Sequence, residues 1–480
     1  MSKVLVTHSY FYKLDAKQWK FKQPYPPLGT IQAAAVVRQH GHDTVFFDVA
    51  LRDNPEELQT VLLDERPDYV VIYDDGFNYL TKMCLTVMRE AAFTMIQLAK
   101  QVGSVVIVNS SDSTDHYDQY FERGADYVVR GEGEETLREL LDALDNQKDV
   151  SAVTGLAHHQ QEISALTPPR KVIRDLDELP LPAWDLIDMK LYRDIWMKHH
   201  GYFSLNIATT RGCPYKCNWC AKPIYGNRYN SRSVEHVLNE IELLLTWHKP
   251  DHFWMADDIF GLKPGWVQEF NREAKERNLS FRYKIQSRAD LLADESTARS
   301  LAESGCETVW LGAESGSQKI LDAMDKGTTV AEIGQARQWL KQYGVRAAFF
   351  LQFGYLGETR KDVDATLQMV LDLMPDEIGI SVSYPLPGTK FYDRVKAELK
   401  EKQNWRDSDD LAMMYHSTFS PAYYKLLHRY IHSRYRIQRG LEQLKSWNWF
   451  PLRSIVSMIY HAPLSLIQFY KLQKLDHANG

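Results

Sequence analysis

Three cysteines, Cys213, Cys217 and Cys220, fall within eight residues of a chain that has only two others, Cys84 and Cys306. Counting ligands says what chemistry such a set can do. A structural zinc normally takes four protein ligands, and a thioredoxin-like redox pair needs two cysteines. Three thiolates spaced C-x3-C-x2-C on one loop can instead hold three irons of a cubane iron–sulfur cluster and leave the fourth iron open to a small molecule. Zinc held by the three cysteines and a distant histidine is the alternative the residues leave open. Cys84 and Cys306 stand in helix-like surroundings and read as small buried apolar residues. The pairs His158-His159 and His199-His200 have no second pair at metal-ligand spacing and read as surface.

The elements that must position this loop follow from hydrophobic periodicity. Residues 1–150 alternate apolar runs such as KVLVT, TVFFDVA, YVVIY and VVIVN with amphipathic stretches such as LGTIQAAAVVRQ. Near-continuous Val/Ile runs are buried on both faces, which predicts a five-stranded, doubly wound (Rossmann-like) α/β domain. Ligands of such sheets sit beyond the carboxyl ends of the strands, here at His8, Asp74, Asn109 and Gly131. The long aromatic segment after the first strand, YFYKLDAKQWKFKQPYPPLG, is long enough to fold over a large flat ligand. Residues 151–200, with Pro168, Pro169, Pro180 and Pro182, read as a linker with short structure of its own. Six further strand–helix steps over 201–392 predict a partial (β/α)6 barrel, whose active residues belong at the C-terminal ends of its strands. Residues 393–480 read as a C-terminal helical domain.

Charge is unevenly placed. The chain carries −6 overall, while 421–480 holds nine Lys and Arg against Glu442 and Asp476. This tail also carries Trp447, Trp449, Phe450, Ile459, Leu466, Ile467 and Phe469. Its apolar face either packs on the rest of the protein or rests on an anionic membrane surface. The sparse, odd cysteines exclude a disulfide framework, and neither a signal peptide nor an apolar run of spanning length is visible. The expectation is a cytoplasmic protein, peripheral to the membrane if its tail touches lipid. Nucleic acid is a poor partner for an acidic barrel.

The cysteine spacing, with Trp219 just before the third cysteine, resembles the signature of the radical S-adenosylmethionine (SAM) superfamily. The resemblance implies a [4Fe–4S] cluster on Cys213, Cys217 and Cys220, whose open iron is chelated by SAM. Other strand ends are similar to that family's in order. Asp257 and Asp258 match acceptors for the SAM amino group, and Ser287 and Arg288 match the pair directed at its carboxylate. Glu314 and Ser315, in Gly312-Ala-Glu-Ser-Gly316, match the ribose-binding turn. Gly354-Tyr-Leu-Gly-Glu-Thr359 is close to the family's next turn, with Leu356 where proline is usual.

The order of domains resembles cobalamin-binding radical SAM proteins, nearest to the group that includes the anaerobic magnesium-protoporphyrin IX monomethyl ester oxidative cyclase. His416-Ser-Thr-Phe-Ser-Pro-Ala-Tyr-Tyr424 looks like that group's C-terminal segment. The resemblance implies cobalamin near His8, Pro27, Gly29, Asp74, Asn109, Gly131 and Glu132. Two departures bear on this. No histidine has an Asp two residues before it, so histidine-on-cobalt binding through D-x-H-x-x-G is not expected. Asn109-Ser110-Ser111-Asp112 stands where related domains place paired glycines that let backbone approach the corrin. His8 reads either as a residue approaching cobalt or as a hydrogen-bonded loop histidine, and the domain either binds cobalamin or docks substrate or a partner. The implied reaction is methylation of an unactivated carbon of a large hydrophobic substrate. Radical oxidation or cyclisation of a tetrapyrrole-like or lipid substrate is the alternative, and a non-enzymatic docking protein a third. An electron donor such as flavodoxin or ferredoxin is implied as partner.

Overall fold

The computed structural model describes residues 2–160, 163–222, 224–399, 404–410, 412–445 and 452–477. Trp447, Trp449 and Phe450 of the aromatic tail lie outside them. The chain forms two compact units: one of 1–214, 221–285 and 404–410, the other of 215–220, 286–403 and 411–480.

In the first unit, β1 (Lys3–Thr7), β2 (Asp43–Phe47), β3 (Tyr69–Tyr73), β4 (Val105–Asn109) and β5 (Tyr127–Val129) pair in parallel in the order β2-β1-β3-β4-β5. Period-two alternation divides their side chains between two cores. Leu5, Val70, Ile72, Val106 and Val108 face the helix Thr86–Gln101 through Ala92, Met95 and Ile96. Val4, Val6, Val71 and Ile107 face Ala33, Ala34 and Val37 of the helix Leu28–Gln39 and Leu137, Leu140 and Leu141 of Glu134–Asp145. Burial on both faces is why these strands read as unbroken apolar runs. Truncating one, as in Ile72→Ala, costs about 2–5 kcal/mol.

The sheet has seven strands, not five. The stretch read as a linker supplies a hairpin, β6 (Leu156–Gln160) and β7 (Ile163–Leu166), which pairs antiparallel onto β5. LAHHQ and ISAL are short and mixed in polarity, so they lack the apolar run that marks a fully covered parallel strand. His158 is buried on this hairpin, contrary to the surface reading, whereas His159 is exposed. Of the other pair, His199 is exposed and His200 is half-buried, its Nε2 3.0 Å from the carbonyl oxygens of Phe21 and Lys22.

The later strands are β8 (Ser204–Ile207), the short antiparallel pair β9 (Thr210–Arg211) and β10 (Asn230–Ser231), β11 (His252–Met255), β12 (Arg282–Ser287), β13 (Cys306–Glu314), β14 (Arg346–Phe353) and β15 (Glu377–Val382). β8, β11 and β12 pair in parallel, as do β13, β14 and β15. Within each set successive strands are neighbours with helices between them, the strand–helix alternation of a β/α barrel. Cys306 opens a strand rather than a helix, and Cys84 follows a short 3-10 turn; both are buried, and burial pushes both thiols up. The second unit ends in a hairpin of two long helices, Pro421–Lys445 and Leu452–His477.

Candidate functional site

The loop after β9 is fixed residue by residue. In the first unit, the Thr209 and Thr210 amides donate to Asp257 Oδ1 at 2.8 and 2.6 Å, and both hydroxyls donate to the same carboxylate at 2.9 Å. Burial still raises the Asp257 carboxyl, to about 6, against these four bonds. Arg211, 5% exposed, donates to Glu132 Oε1 at 2.6 Å and to Glu134 Oε1 at 2.8 Å, with the rings of Phe77 and Tyr225 within 5.6 Å of its guanidinium. Gly212 has φ +78°, and a Cβ there would stand 2.4 Å from the Arg228 carbonyl oxygen. Only glycine meets both conditions.

In the second unit, Tyr215 lies against Arg288, whose guanidinium carbon is 3.6 Å from the ring centroid, and the Tyr215 hydroxyl donates to Asp290 at 3.3 Å. Asn218 donates to the Ala323 carbonyl at 2.8 Å and accepts from the Tyr355 hydroxyl at 2.5 Å. Trp219 packs on a core containing Ile320, Met324, Tyr355 and Phe391. Cys213 in the first unit and Cys217 and Cys220 in the second are each half-buried and in no disulfide. Among the described residues, no three His, Cys, Asp or Glu side chains are grouped to hold a single metal ion.

The residues matched to SAM contacts already have partners. Asp258 pairs with Lys82 at 2.6 Å. Arg288 donates to Asp290 at 2.9 Å and to the Lys326 carbonyl at 2.9 Å. Ser287 is buried. Glu314 takes a left-handed backbone (φ +56°) at a register shift in β13 and accepts from Lys326 Nζ at 2.7 Å. A non-glycine residue in that region is strained, and such strain gathers at functional turns. Ser315 bonds Thr366 rather than facing outward. At the next turn Glu358, fully buried, accepts from the Gly354 amide at 2.7 Å, and burial pushes its carboxyl up to about 8. Tyr415, just before His416, donates to the Gly354 carbonyl.

At the carboxyl end of the first sheet, His8 Nε2 lies 3.0 Å from Asp48 Oδ1, and Tyr192 donates to the other Asp48 oxygen at 2.7 Å. Asp74 accepts from the Ser9 amide and hydroxyl. Pro27 precedes the helix Leu28–Gln39, and the Leu28 and Gly29 amides donate to Asp75. Asn109 donates to the carbonyls of Val129 and Gly131. Ser110 caps the short helix Ser111–Asp115, and Asp112 takes Arg89 and Tyr120, so side chains fill the place where glycines were expected. Glu132 is committed to Arg211 and the Ile173 amide. His8 Nδ1 and Tyr10 Oη are sealed from water without a protein partner. Sequence reading missed Arg211, Tyr215, Asn218, Asp48 and Lys326. Only Arg211 carried a signal, standing beside the glycine that precedes the first cysteine.

Residues 19–141 match the B12 binding domain and residues 207–370 the radical SAM superfamily. The chain therefore carries a B12-binding domain followed by a radical SAM domain, and the cofactors these domains imply are a [4Fe–4S] cluster, SAM and cobalamin. More particularly, it is 29% identical over 388 residues to an uncharacterised methyltransferase of Pyrococcus horikoshii, covering 79% of this chain and 81% of that one. It is 27% identical to the anaerobic magnesium-protoporphyrin IX monomethyl ester cyclase of Rubrivivax gelatinosus, over 79% of this chain and 69% of the relative. In fold it is similar to the cobalamin-dependent SAM radical enzyme OxsB with aqua-cobalamin and SAM bound: TM-score 0.77, 17% identity, 98% of this chain and 72% of that one.

The residues fit these groups. Three thiols free of disulfides, on a loop whose neighbours are tied down, suit a cluster with one open iron. Orphaned polar atoms beyond the carboxyl end of β1, His8 Nδ1 and Tyr10 Oη, suit a ligand that supplies hydrogen bonds there.

Proposed function

We propose that this enzyme methylates an unactivated carbon of a large hydrophobic substrate. Cys213, Cys217 and Cys220 would hold the cluster, while Arg288 and Ser287 would take the SAM carboxylate and Glu314 its ribose. Asp257, with its carboxylate spent on Thr209 and Thr210, keeps the strand end and the loop in register. His8, Asp74 and Asn109 would border the cobalamin. Bound, the cluster supplies the electron that cleaves SAM to a carbon radical, and cobalamin carries the methyl group. The chain's own work is to hold these groups apart from water, so that the radical meets substrate first.

The observation that carries the reading is the pairing of a three-thiol loop with a B12-binding domain in one chain whose 29%-identical relative is a methyltransferase. The 27% identity to the cyclase favours a second reading, oxidation or cyclisation of a tetrapyrrole-like substrate. A flavodoxin- or ferredoxin-type electron donor and contact of 421–480 with a membrane surface complete the proposal.

The test is anaerobic turnover of the reconstituted, cobalamin-loaded enzyme with SAM bearing a trideuterated methyl group and extracts fractionated by polarity. A product heavier by the labelled methyl supports methylation. 5′-Deoxyadenosine with an unlabelled, oxidised product selects the second reading. Absence of 5′-deoxyadenosine from the reduced, loaded protein overturns both and leaves a docking protein.

A further inference from the structure

The second helix of the C-terminal hairpin, Leu452–His477, is inside out. Its buried face carries His461 and Ser465 as well as Leu472. His461 Nδ1 lies 3.2 Å from the Ser433 hydroxyl and its Nε2 2.9 Å from Arg436, both on the first helix. The opposite face is apolar and open to solvent: Ile459 is 64% exposed, Tyr460 64% and Leu466 72%, with Val456, Ile467 and Tyr470 beside them. Positions 456, 459, 460, 463, 467 and 470 follow the three- and four-residue spacing of one helical stripe. A face of this size on a lone helix needs a covering.

Charge says which covering. Lys471 and Lys474 continue the stripe and are exposed, and Lys474 Nζ lies 4.7 Å from the Tyr470 ring centroid. Exposed Lys425, Arg429, Arg439 and Lys445 on the first helix add to the cationic field, and Glu442 and Asp476 are the only acidic residues of 421–480. Like charges oppose a second copy of the same hairpin, whereas an anionic surface attracts all of them. Among the described residues, no helix is long and apolar enough to cross a membrane, so the stripe lies in the interface rather than through it.

We infer that the helix Leu452–His477 docks the enzyme on an anionic bilayer, laying the Val456–Tyr470 stripe at the headgroup boundary with Lys471 and Lys474 against the lipid phosphates. This deepens the membrane contact of the proposed function and is independent of its radical chemistry, which the labelled-methyl turnover reads separately.

Full-length holoprotein is floated with vesicles of phosphatidylcholine alone and of phosphatidylcholine containing a third phosphatidylglycerol. Partitioning is expected to be at least about tenfold stronger on the anionic vesicles and to weaken as salt rises to 0.5 M. The double variant Ile459→Glu/Leu466→Glu should lose at least about tenfold of that partitioning while keeping the wild-type circular dichroism and Tm, since both side chains face solvent. Lys471→Gln/Lys474→Gln should weaken anionic binding alone. Equal binding to both vesicle types, an unaffected Glu double variant, or a dimer in light scattering that this variant dissolves would each overturn the inference.

Discussion

Arg211 Nη1 donates to Glu132 Oε1 at 2.6 Å with both side chains almost wholly buried, and Nη2 reaches Glu134 at 2.8 Å. Glu132 comes from the turn after β5 and Glu134 from the start of the helix that follows, and the arginine stands two residues before the first cysteine. One cation against two carboxylates is tolerable only while the cation stays. Arg211→Met should therefore strand two buried carboxylates and cost about 3–5 kcal/mol, with iron per chain falling after reconstitution. Glu134→Gln should be mild, because Glu134 Oε2 already lacks a partner. Thermal melting and iron assay on both variants check this; an Arg211→Met protein as stable and iron-replete as wild type would refute it.

Glu358 gives a pH signature. Its folded carboxyl sits at about 8, against an ordinary 4.5, because of burial. Between those values the folded state holds a proton that the unfolded chain has released, so stability falls as pH rises through the window and levels off above it. Glu358→Gln keeps the acceptor for the Gly354 amide and removes the titration. The variant should gain on wild type by up to a few kcal/mol between pH 5 and pH 8, read from urea midpoints. Parallel pH profiles would show that Glu358 is ionised in the folded protein at neutral pH.

Much of this was legible in the chain. β3 and β4 announce themselves because both faces are covered, and Cys213, Cys217 and Cys220 because their spacing is local. The hairpin β6–β7 stayed hidden because an edge strand needs no apolar run. The partners of Glu314 and Arg288 were equally hidden: Lys326 and Tyr215 meet them through folding rather than spacing, and a lysine or tyrosine at those positions has no pattern of its own. The two readings of the tail's apolar face could not be separated in the sequence, because periodicity shows that a face exists and not which way it turns; in the last helix the Val456–Tyr470 stripe is exposed.

The five cysteines should divide sharply. Cys217→Ala or Cys220→Ala should leave little reconstituted cluster absorbance and no 5′-deoxyadenosine on reduction. Cys84→Ser and Cys306→Ser should keep full iron content, because burial keeps both thiols protonated and away from metal. Their cost should appear in Tm alone. Iron loss in either serine variant would mean that the ligand set is wrong.

Arg288 is the sharpest test of the SAM assignment. In the protein it stacks on Tyr215 and donates to Asp290 and to the Lys326 carbonyl, so its guanidinium is held in one orientation. A lysine keeps the charge but loses the planar fork and the stacking. Arg288→Lys should therefore bind iron like wild type, with a SAM Kd raised at least about tenfold, roughly 1.4 kcal/mol. The change in the reduced cluster's EPR spectrum on adding SAM should be lost at SAM concentrations that saturate wild type. If Arg288→Lys binds SAM normally but loses iron, the residue serves the cysteine loop through Tyr215, and the SAM carboxylate has another partner.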